Sequence, residues 1–354
     1  PPRSTLFPYT TLFRSAVERA AEHLIVQAAA QRLNDVQADA GHWAARRLFD
    51  GFREGYAGLT IDLYAHTLVF SRHEPVLNEG QLGLLAVRLR ELFPWVRAVL
   101  VKDRKPPLGG EVQPEARRGR LAWGENPDRR LRENGVWYAL DLQMNQDASF
   151  YLDTRLLRAW LKENLSGKTL LNTFAYTGSL GVAALAGGAA QVVQLDRNRQ
   201  FLNLAKQSYA LNGLAVQRSD FLSGDFYPLT AQLRRAGAQF DAVVLDAPFF
   251  STSVKGRVDL QNDMERLINR LRPLVRSGGW LLAINNALFV SGRDYLATLQ
   301  CLCDGGGLEI EALLPVGEDC LGNHPAAAAD PAPFVHSTKI ALLRVRHVAS
   351  FTAR

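Results

Sequence analysis

The stretch T-L-L-N-T-F-A-Y-T-G-S-L-G-V-A-A-L-A-G-G-A-A-Q-V-V-Q-L-D, from Thr169 to Asp196, decides the fold. It opens on a short apolar run, turns through small residues, continues as a helix-forming segment and ends in a second apolar run that stops on a carboxylate. That is the pattern of a βαβ unit. A turn of small residues lets a ligand come close to the backbone, and the helix start behind it offers unpaired N–H groups. An acid about 20 residues further on can hold ribose hydroxyls. The expected ligand is a nucleoside.

A dinucleotide site wants G-x-G-x-x-G at this turn so that pyrophosphate can lie on bare backbone. Asn172–Leu180 has only Gly178 in its middle, followed by Gly181, and provides no clear pyrophosphate seat. S-adenosylmethionine carries no phosphate. Its amino-acid end needs polar groups near the first turn, which Asn172, Thr173 and Thr177 can supply. The reading is a methyl donor rather than NAD.

The same alternation continues outward. Phe201, Leu204 and Ala205 predict a helix after Asp196, Val216 marks a third strand before Asp220, and Asp241–Leu245 is a fourth, buried strand ending on Asp246. Met264, Leu267, Ile268 and Leu271 form a helical face stopped by Pro273 and Gly278-Gly279, and Trp280–Ile284 is the fifth strand. Leu308–Leu314 and Ile340–Val345 are expected to close the sheet as a late antiparallel pair. Upstream, Phe150–Arg155 leads into a helix carrying Leu156, Leu157, Trp160 and Leu161.

Before that lies a second, smaller α/β pattern. Ala16 to about Ala40 reads as a helix ended by Gly41, Leu59–Tyr64 and Thr67–Phe70 as a hairpin, and Leu82, Leu85, Ala86 and Leu89 as one helical face. Val96–Val101 is a further strand. Arg104 to Asn134 is the least apolar stretch and carries Arg117, Arg118, Arg120, Arg129, Arg130 and Arg132 around Trp123. Such a mixture suits single-stranded nucleic acid, cations tracking phosphate and a ring stacking on a base, and suits a solvated loop with a packed Trp equally. Val136–Leu142 alternates as a half-buried strand does. Pro1–Ser15 repeats Thr5-Leu6-Phe7 as Thr11-Leu12-Phe13, resembles translated adaptor DNA, and is set aside from the fold.

The domain boundaries expected are 16–40 for an N-terminal helix, 41–145 for the small α/β domain and 146–354 for the nucleoside-binding domain. A chain of 354 residues with 47% hydrophobic and 21% charged residues is globular and long enough for two domains. Its net charge of +6 leans towards a polyanionic partner. Cys301, Cys303 and Cys320 are too few and too irregularly spaced for a disulfide framework or a zinc site, so a cytoplasmic protein without a metal is expected. No apolar run approaches the roughly 20 residues that span a bilayer.

In an open parallel sheet, ligands bind beyond the carboxyl ends of the strands. Asp196 is expected to accept both ribose hydroxyls, with a helix N-cap as the plainer role. Asp220 is a candidate for the adenine amine, or the start of a turn. Asp246-Ala247-Pro248-Phe249-Phe250 is the most specific short motif. Methylating a nucleobase amine needs an acceptor for its hydrogens and an aromatic face for a flipped base, which Asp246, the carbonyl of Ala247 and Phe249 or Phe250 can provide.

Taken together, L-N-T-F-A-Y-T-G-S-L at Leu171–Leu180, L-D at Leu195-Asp196, L-D-A-P-F-F at Leu245–Phe250 and F-Y-L-D-T-R at Phe150–Arg155 resemble the class I S-adenosylmethionine-dependent methyltransferases of the large-subunit (23S) rRNA group. R-L-F-D-G-F-R-E-G-Y-A-G-L-T-I-D-L-Y at Arg47–Tyr64 is similar to the start of that group's central small domain. The resemblance implies a Rossmann-like seven-stranded methyltransferase domain preceded by a small α/β domain, S-adenosyl-L-methionine as cofactor and 23S rRNA as partner. It implies cofactor contacts from Asn172, Phe174, Thr177, Gly178, Asp196 and Asp220, with Tyr151 and Arg155 near the cofactor or the domain junction. Asp246, Pro248 and Phe249 would line the target base.

Only a helix precedes Arg47, so the N-terminal PUA domain of the group is expected to be absent and RNA capture to fall to the small domain and its Arg-rich loop. The usual D-P-P-x-F reads D-A-P-F-F here. Cytosine carbon-5 methylation needs a cysteine thiolate, which in the group follows strand five. This chain reads Ala283-Ile284-Asn285-Asn286-Ala287 there. Transfer to a base nitrogen is therefore the expectation, with Asn285 or Asn286 orienting the base. Carbon-5 methylation by another cysteine, and a non-catalytic RNA-binding or assembly factor, are the alternatives. His324, His336 and Lys339 are further candidates for substrate contact.

Overall fold

A computed structural model describes residues 16–74, 77–104, 114–321 and 330–346. The expectations for Pro1–Ser15 and His324 fall outside those residues. The described residues divide into two compact units, one up to Leu131 with Leu142–Ala148, the other made of Arg132–Asp141, Ser149–Leu321 and the described residues from 330 on.

The first unit begins with α1 (Ala16–Gln31) and α2 (Leu33–Gln37), so the predicted helix ends earlier than Gly41. A sheet in the order β1 (Ala45–Phe49), β2 (Leu59–Tyr64), β3 (Thr67–Arg72), β4 (Ala98–Asp103) and β5 (Arg120–Gly124) follows. The predicted hairpin is β2–β3, and β4 runs parallel to β3. Between them α3 (Glu79–Leu92) starts on a capping box, Asn78 accepting from Gln81 N while Gln81 accepts from Asn78 N. Ile25, Phe70, Leu85, Leu89 and Val99 meet in its core. The short α4 (Pro114–Arg118) precedes β5. Leu142–Ala148 joins this unit through Lys102, which is fully buried and donates from Nζ to the carbonyls of Asn145 (2.9 Å) and Asp147 (2.8 Å).

The next strands, β6 (Arg130–Glu133) and β7 (Val136–Ala139), form a two-stranded sheet. The second unit then runs through α5 (Arg155–Asn164), β8 (Thr169–Thr173), α6 (Ser179–Ala186), β9 (Gln191–Asp196), α7 (Arg199–Leu211) and β10 (Phe221–Ser223). Next come α8 (Phe226–Arg235), β11 (Phe240–Leu245), β12 (Phe250–Ser253), β13 (Gly256–Asp259), α9 (Met264–Leu271) and β14 (Val275–Asn285). The last elements are α10 (Gly292–Asp304), β15 (Leu308–Leu314) and β16 (Lys339–Val345). β7 belongs here because α7 satisfies its backbone: Asn212 Oδ1 accepts from Trp137 N (2.9 Å) and Ser208 Oγ from Ala139 N (2.9 Å).

The seven-stranded sheet has the order β10-β9-β8-β11-β14-β16-β15. β10 to β14 are parallel neighbours, while β16 is antiparallel to both β14 and β15, as the late pair required. This is the expected α/β class. The strands read as apolar runs because both faces are covered. Along β11, Ala242 and Val244 pack with Leu157 and Leu161 of α5, whereas Val243 and Leu245 pack with Leu267, Ile268 and Leu271 of α9. The third strand departs from expectation. Residues around Val216 form no strand, Val216 is 43% exposed, and β10 is three residues long and begins after Asp220. Among the described residues no helix is long and apolar enough to cross a membrane.

Candidate active site

The sheet order reverses between β8 and β11, so the crevice for a ligand opens at the carboxyl ends of these strands. Beyond β8 the chain makes a tight turn with Phe174 (φ 54°), Tyr176 (φ 51°) and Gly178 (φ 76°) in the left-handed region. The turn is held by Asp196 at the end of β9, whose Oδ2 accepts from Tyr176 N (2.8 Å) and Oδ1 from Asn198 N (2.7 Å). A carboxylate has about four lone-pair sites, so Asp196 keeps capacity for two more donors such as ribose hydroxyls. It is half-buried, and that burial pushes its carboxyl above the usual range despite the two backbone donors. Half-buried Phe174 stacks on Phe226 (centroids 4.6 Å), and Tyr176 lies against Tyr151 (5.2 Å) and Phe201 (4.5 Å). Tyr151 is itself 44% exposed. These rings and the Asp196 carboxylate fit a nucleoside without phosphate.

Several residues predicted to contact the cofactor are engaged with other protein groups. Asn172 is 1% exposed and donates from Nδ2 to Gln194 Oε1 (2.8 Å), while Gln194 Nε2 donates to the carbonyl of Gly178 and to Tyr209 Oη, each at 3.2 Å. Thr177 is also buried and donates to the carbonyl of Ser149 (2.7 Å). Both therefore support the turn from beneath rather than line the crevice. Gly178 and Gly181 lean on the same Gln194: a Cβ on Gly181 would lie 2.1 Å from its Nε2. Arg155 is engaged by buried Asp319 through two hydrogen bonds (2.5 and 3.2 Å), which ties α5 to the turn after β15.

Asp220 is the clearest displacement. It precedes β10 and accepts from Gln191, the first residue of β9, at 2.8 Å, which puts it towards the amino edge of the sheet. The acid beyond the carboxyl end of strand three is Asp225, where Gly224 N donates to the Asp196 carbonyl (3.1 Å) and Asp225 caps α8 by accepting from Tyr227 N (2.9 Å). The signal was present as Gly224-Asp225 directly before an aromatic helix start.

At the end of β11, Asp246 accepts no hydrogen bond among the described residues, and burial, with the Asp153 carboxylate adding repulsion, pushes it up to about 7. Asp153 is held by Thr338, which donates from Oγ1 over 2.5 Å. Pro248 is exposed, and Phe249 is 39% exposed. The Ala247 carbonyl, expected to be open to a base, accepts from Asn286 Nδ2 (3.2 Å). Asn285 is buried, donating to the Leu260 carbonyl (3.2 Å) and accepting from Ala287 N (3.0 Å), so Asn286 is the one of the pair that reaches the surface. Lys339, 1% exposed, donates to the carbonyls of Ala287 (3.1 Å) and Ser337 (2.6 Å), and burial pushes its ammonium down to about 8. It braces the loop after β14 from within. His336 Nδ1 accepts from Thr338 N (2.9 Å) in the same strand entry.

The cysteines separate by edge. Cys301 and Cys303 sit in the last turn of α10, which leaves the carboxyl edge after β14 and ends before β15 at the amino edge. Cys320 follows β15 at the carboxyl edge and is buried beside Asp319. In the other unit, Arg117 and Arg118 are exposed, Arg120 pairs with Glu79, and Arg90 stacks 3.3 Å above the Trp123 ring.

A family model described as S-adenosylmethionine-dependent methyltransferase matches residues 114–302. The ribosomal RNA large subunit methyltransferase I of Aeromonas salmonicida is 34% identical over 212 residues, 58% of this chain and 52% of that protein. Its namesake from Photobacterium profundum is 31% identical over 272 residues, 74% of this chain and 67% of that one. The chain thus spans about half the length of the first of these relatives. Among solved structures, a methyltransferase complexed with S-adenosylhomocysteine superposes with a TM-score of 0.80 at 21% identity, covering 94% of this chain and 83% of that chain. An S-adenosylmethionine-dependent methyltransferase from Streptococcus mutans gives 0.78 at 20% identity, with the same coverage. These two likenesses speak to the fold.

Proposed function

Because the chain belongs to the S-adenosylmethionine-dependent methyltransferase family, with S-adenosylmethionine as its methyl donor, we propose that its acceptor is a base of large-subunit (23S) ribosomal RNA. The observation that carries this reading is the end of β11, where Asp246, unpaired among the described residues, stands three residues before the exposed ring of Phe249. A buried-side acceptor beside an aromatic face suits a planar base with exocyclic hydrogens taken out of its stack. The relatives' large-subunit rRNA substrate supports the same reading.

S-adenosylmethionine supplies a methyl group on a sulfonium, already electrophilic. Asp196 accepts ribose hydroxyls, Asp225 accepts the adenine amine, and Phe174 and Tyr176 flank the nucleoside. Asp246 in its ionised form accepts a hydrogen bond or a proton from the base, and Asn286 fixes the Ala247 backbone beside it. The exposed Arg117 and Arg118 and the Arg90–Trp123 stack offer the cationic and aromatic surface that RNA binding needs.

The expectation of a base-nitrogen acceptor has no support from the comparisons, and the cytosine carbon-5 alternative is carried forward instead. Carbon-5 chemistry asks for a thiolate. Of the three cysteines, Cys320 is the one on the same sheet edge as Asp246.

Label from methyl-labelled S-adenosylmethionine should enter large-subunit rRNA, and nucleoside digestion then identifies the atom. Asp246→Ala is expected to lower transfer on the order of 10²–10⁴-fold. Loss of transfer in Cys320→Ser, with Cys301→Ser and Cys303→Ser active, accompanies a 5-methylcytosine product. A labelled ring nitrogen with an active Cys320→Ser would overturn the carbon-5 reading, and no label in RNA would overturn the substrate.

A further inference from the structure

The loop after β14 carries two apolar side chains that the core does not use. Leu288 is 76% exposed and Phe289 77%, directly after Asn286 and Ala287. The Phe289 ring lies 6.3 Å from that of Phe249, centroid to centroid, at an interplanar angle of 58°. Neither ring belongs to a hydrophobic core cluster.

The backbone around them, by contrast, is tied down. Phe249 O accepts from Leu260 N (3.0 Å), Asn286 holds the Ala247 carbonyl (3.2 Å), and Val290 N donates to Ala287 O (3.3 Å). Lys339 clamps the Ala287 carbonyl from below (3.1 Å). Exposed rings on a rigid backbone are the arrangement of a preorganised contact surface.

The spacing names the occupant. A planar base between two rings at van der Waals contact needs them about 7 Å apart, and the observed 6.3 Å is short of that by less than an ångström. Holding a base therefore asks Phe289 to turn about its side-chain torsions, and its 77% exposure leaves room for that. Asp246, three residues before Phe249, and Asn286, three before Phe289, supply an acceptor and an amide for the edge of such a base.

We infer that Phe249 and Phe289 are the two walls of a stacking slot for the unpaired base presented for methylation. Phe289 grips the face opposite Phe249. The inference rests on the reading that the acceptor is an RNA base, and deepens it by assigning a second aromatic wall.

The test uses the whole protein saturated with S-adenosylhomocysteine and a short single-stranded RNA bearing one pyrrolo-cytosine, a cytosine analogue whose fluorescence is quenched on stacking. The wild type quenches it, Phe289→Ala and Phe289→Leu lose most of the quenching, and Phe289→Tyr keeps it. Affinity for the RNA falls about 5- to 100-fold in Phe289→Ala, as expected for one lost base–aromatic stack. Calorimetric binding of S-adenosylhomocysteine is unchanged in all three variants, which shows they are folded. Equal quenching by wild type and Phe289→Ala, no quenching by the wild type, or equal loss in Phe289→Tyr would each overturn the slot. Methyl transfer to rRNA is scored separately: transfer without Phe289-dependent quenching sinks the slot alone, and Phe289-dependent quenching without transfer sinks the rRNA reading alone.

Discussion

Asn172 and Gln194 sit opposite each other in the register of β8 and β9, and Asn172 Nδ2 donates to Gln194 Oε1 over 2.8 Å in a buried pair directly beneath the Phe174–Gly178 turn. Two interior strand positions thus hold a surface turn in shape. Gln194→Ala removes the acceptor of Asn172 Nδ2 and the partner of Tyr209 Oη, while the Gly178 carbonyl keeps Val182 N as a donor. Leaving two buried polar groups unpaired should cost about 2–4 kcal/mol, read as a lower urea midpoint, with weaker S-adenosylmethionine binding by calorimetry.

Asp225 and Asp220 lie at opposite ends of β10. Asp225→Ala should weaken S-adenosylmethionine binding about tenfold, the loss of one hydrogen bond to a charged acceptor. Asp220→Ala should leave it unchanged. The reverse result would restore Asp220 to the adenine site.

Asp246 titrates near neutrality, its carboxyl pushed up to about 7 by burial and by Asp153. Its folded value lies above that of the unfolded chain, so ionisation costs stability: the contribution is present below about pH 4 and lost as pH rises towards 7. Methyl transfer should move the other way, rising through about pH 7 as the carboxylate forms. Asp246→Asn should flatten the stability slope and remove the activity rise, checked by melting temperatures and initial rates over the same pH series.

Arg155 was a candidate for the cofactor, yet its guanidinium is bound to buried Asp319. Arg155→Ala breaks a buried ion pair and should destabilise the protein by about 3–5 kcal/mol. At temperatures where the variant is still folded, its affinity for S-adenosylmethionine should match the wild type. A lost affinity without lost stability would return Arg155 to the cofactor.

The parallel heart of the sheet was readable because strands covered on both faces are plain apolar runs: Leu170–Leu171, Val192–Val193 and Ala242–Leu245 could hardly be anything else. Edge elements were not. β1, A-R-R-L-F, and β5, R-L-A-W-G, are edge strands whose charged or exposed positions leave no continuous apolar run. Asp196 and Asp246 were easy to place at the carboxyl edge, since each ends or directly follows such an apolar run. The site was illegible where one residue of shift reverses a side chain. Asn285 is buried while Asn286 reaches the surface, and the three-residue β10 puts Asp225, not Asp220, beyond its carboxyl end.

β16 lies between β14 and β15, although both are made before it. In the finished sheet β14 and β15 each pair with the segment from Lys339 to Val345 and not with each other, so the edges they present to it are closed only by the last strand. The same segment brings Thr338 to Asp153 and Lys339 under the Ala287 carbonyl. The strand that completes the sheet thus also supplies the groups that hold Asp153 and the loop after β14.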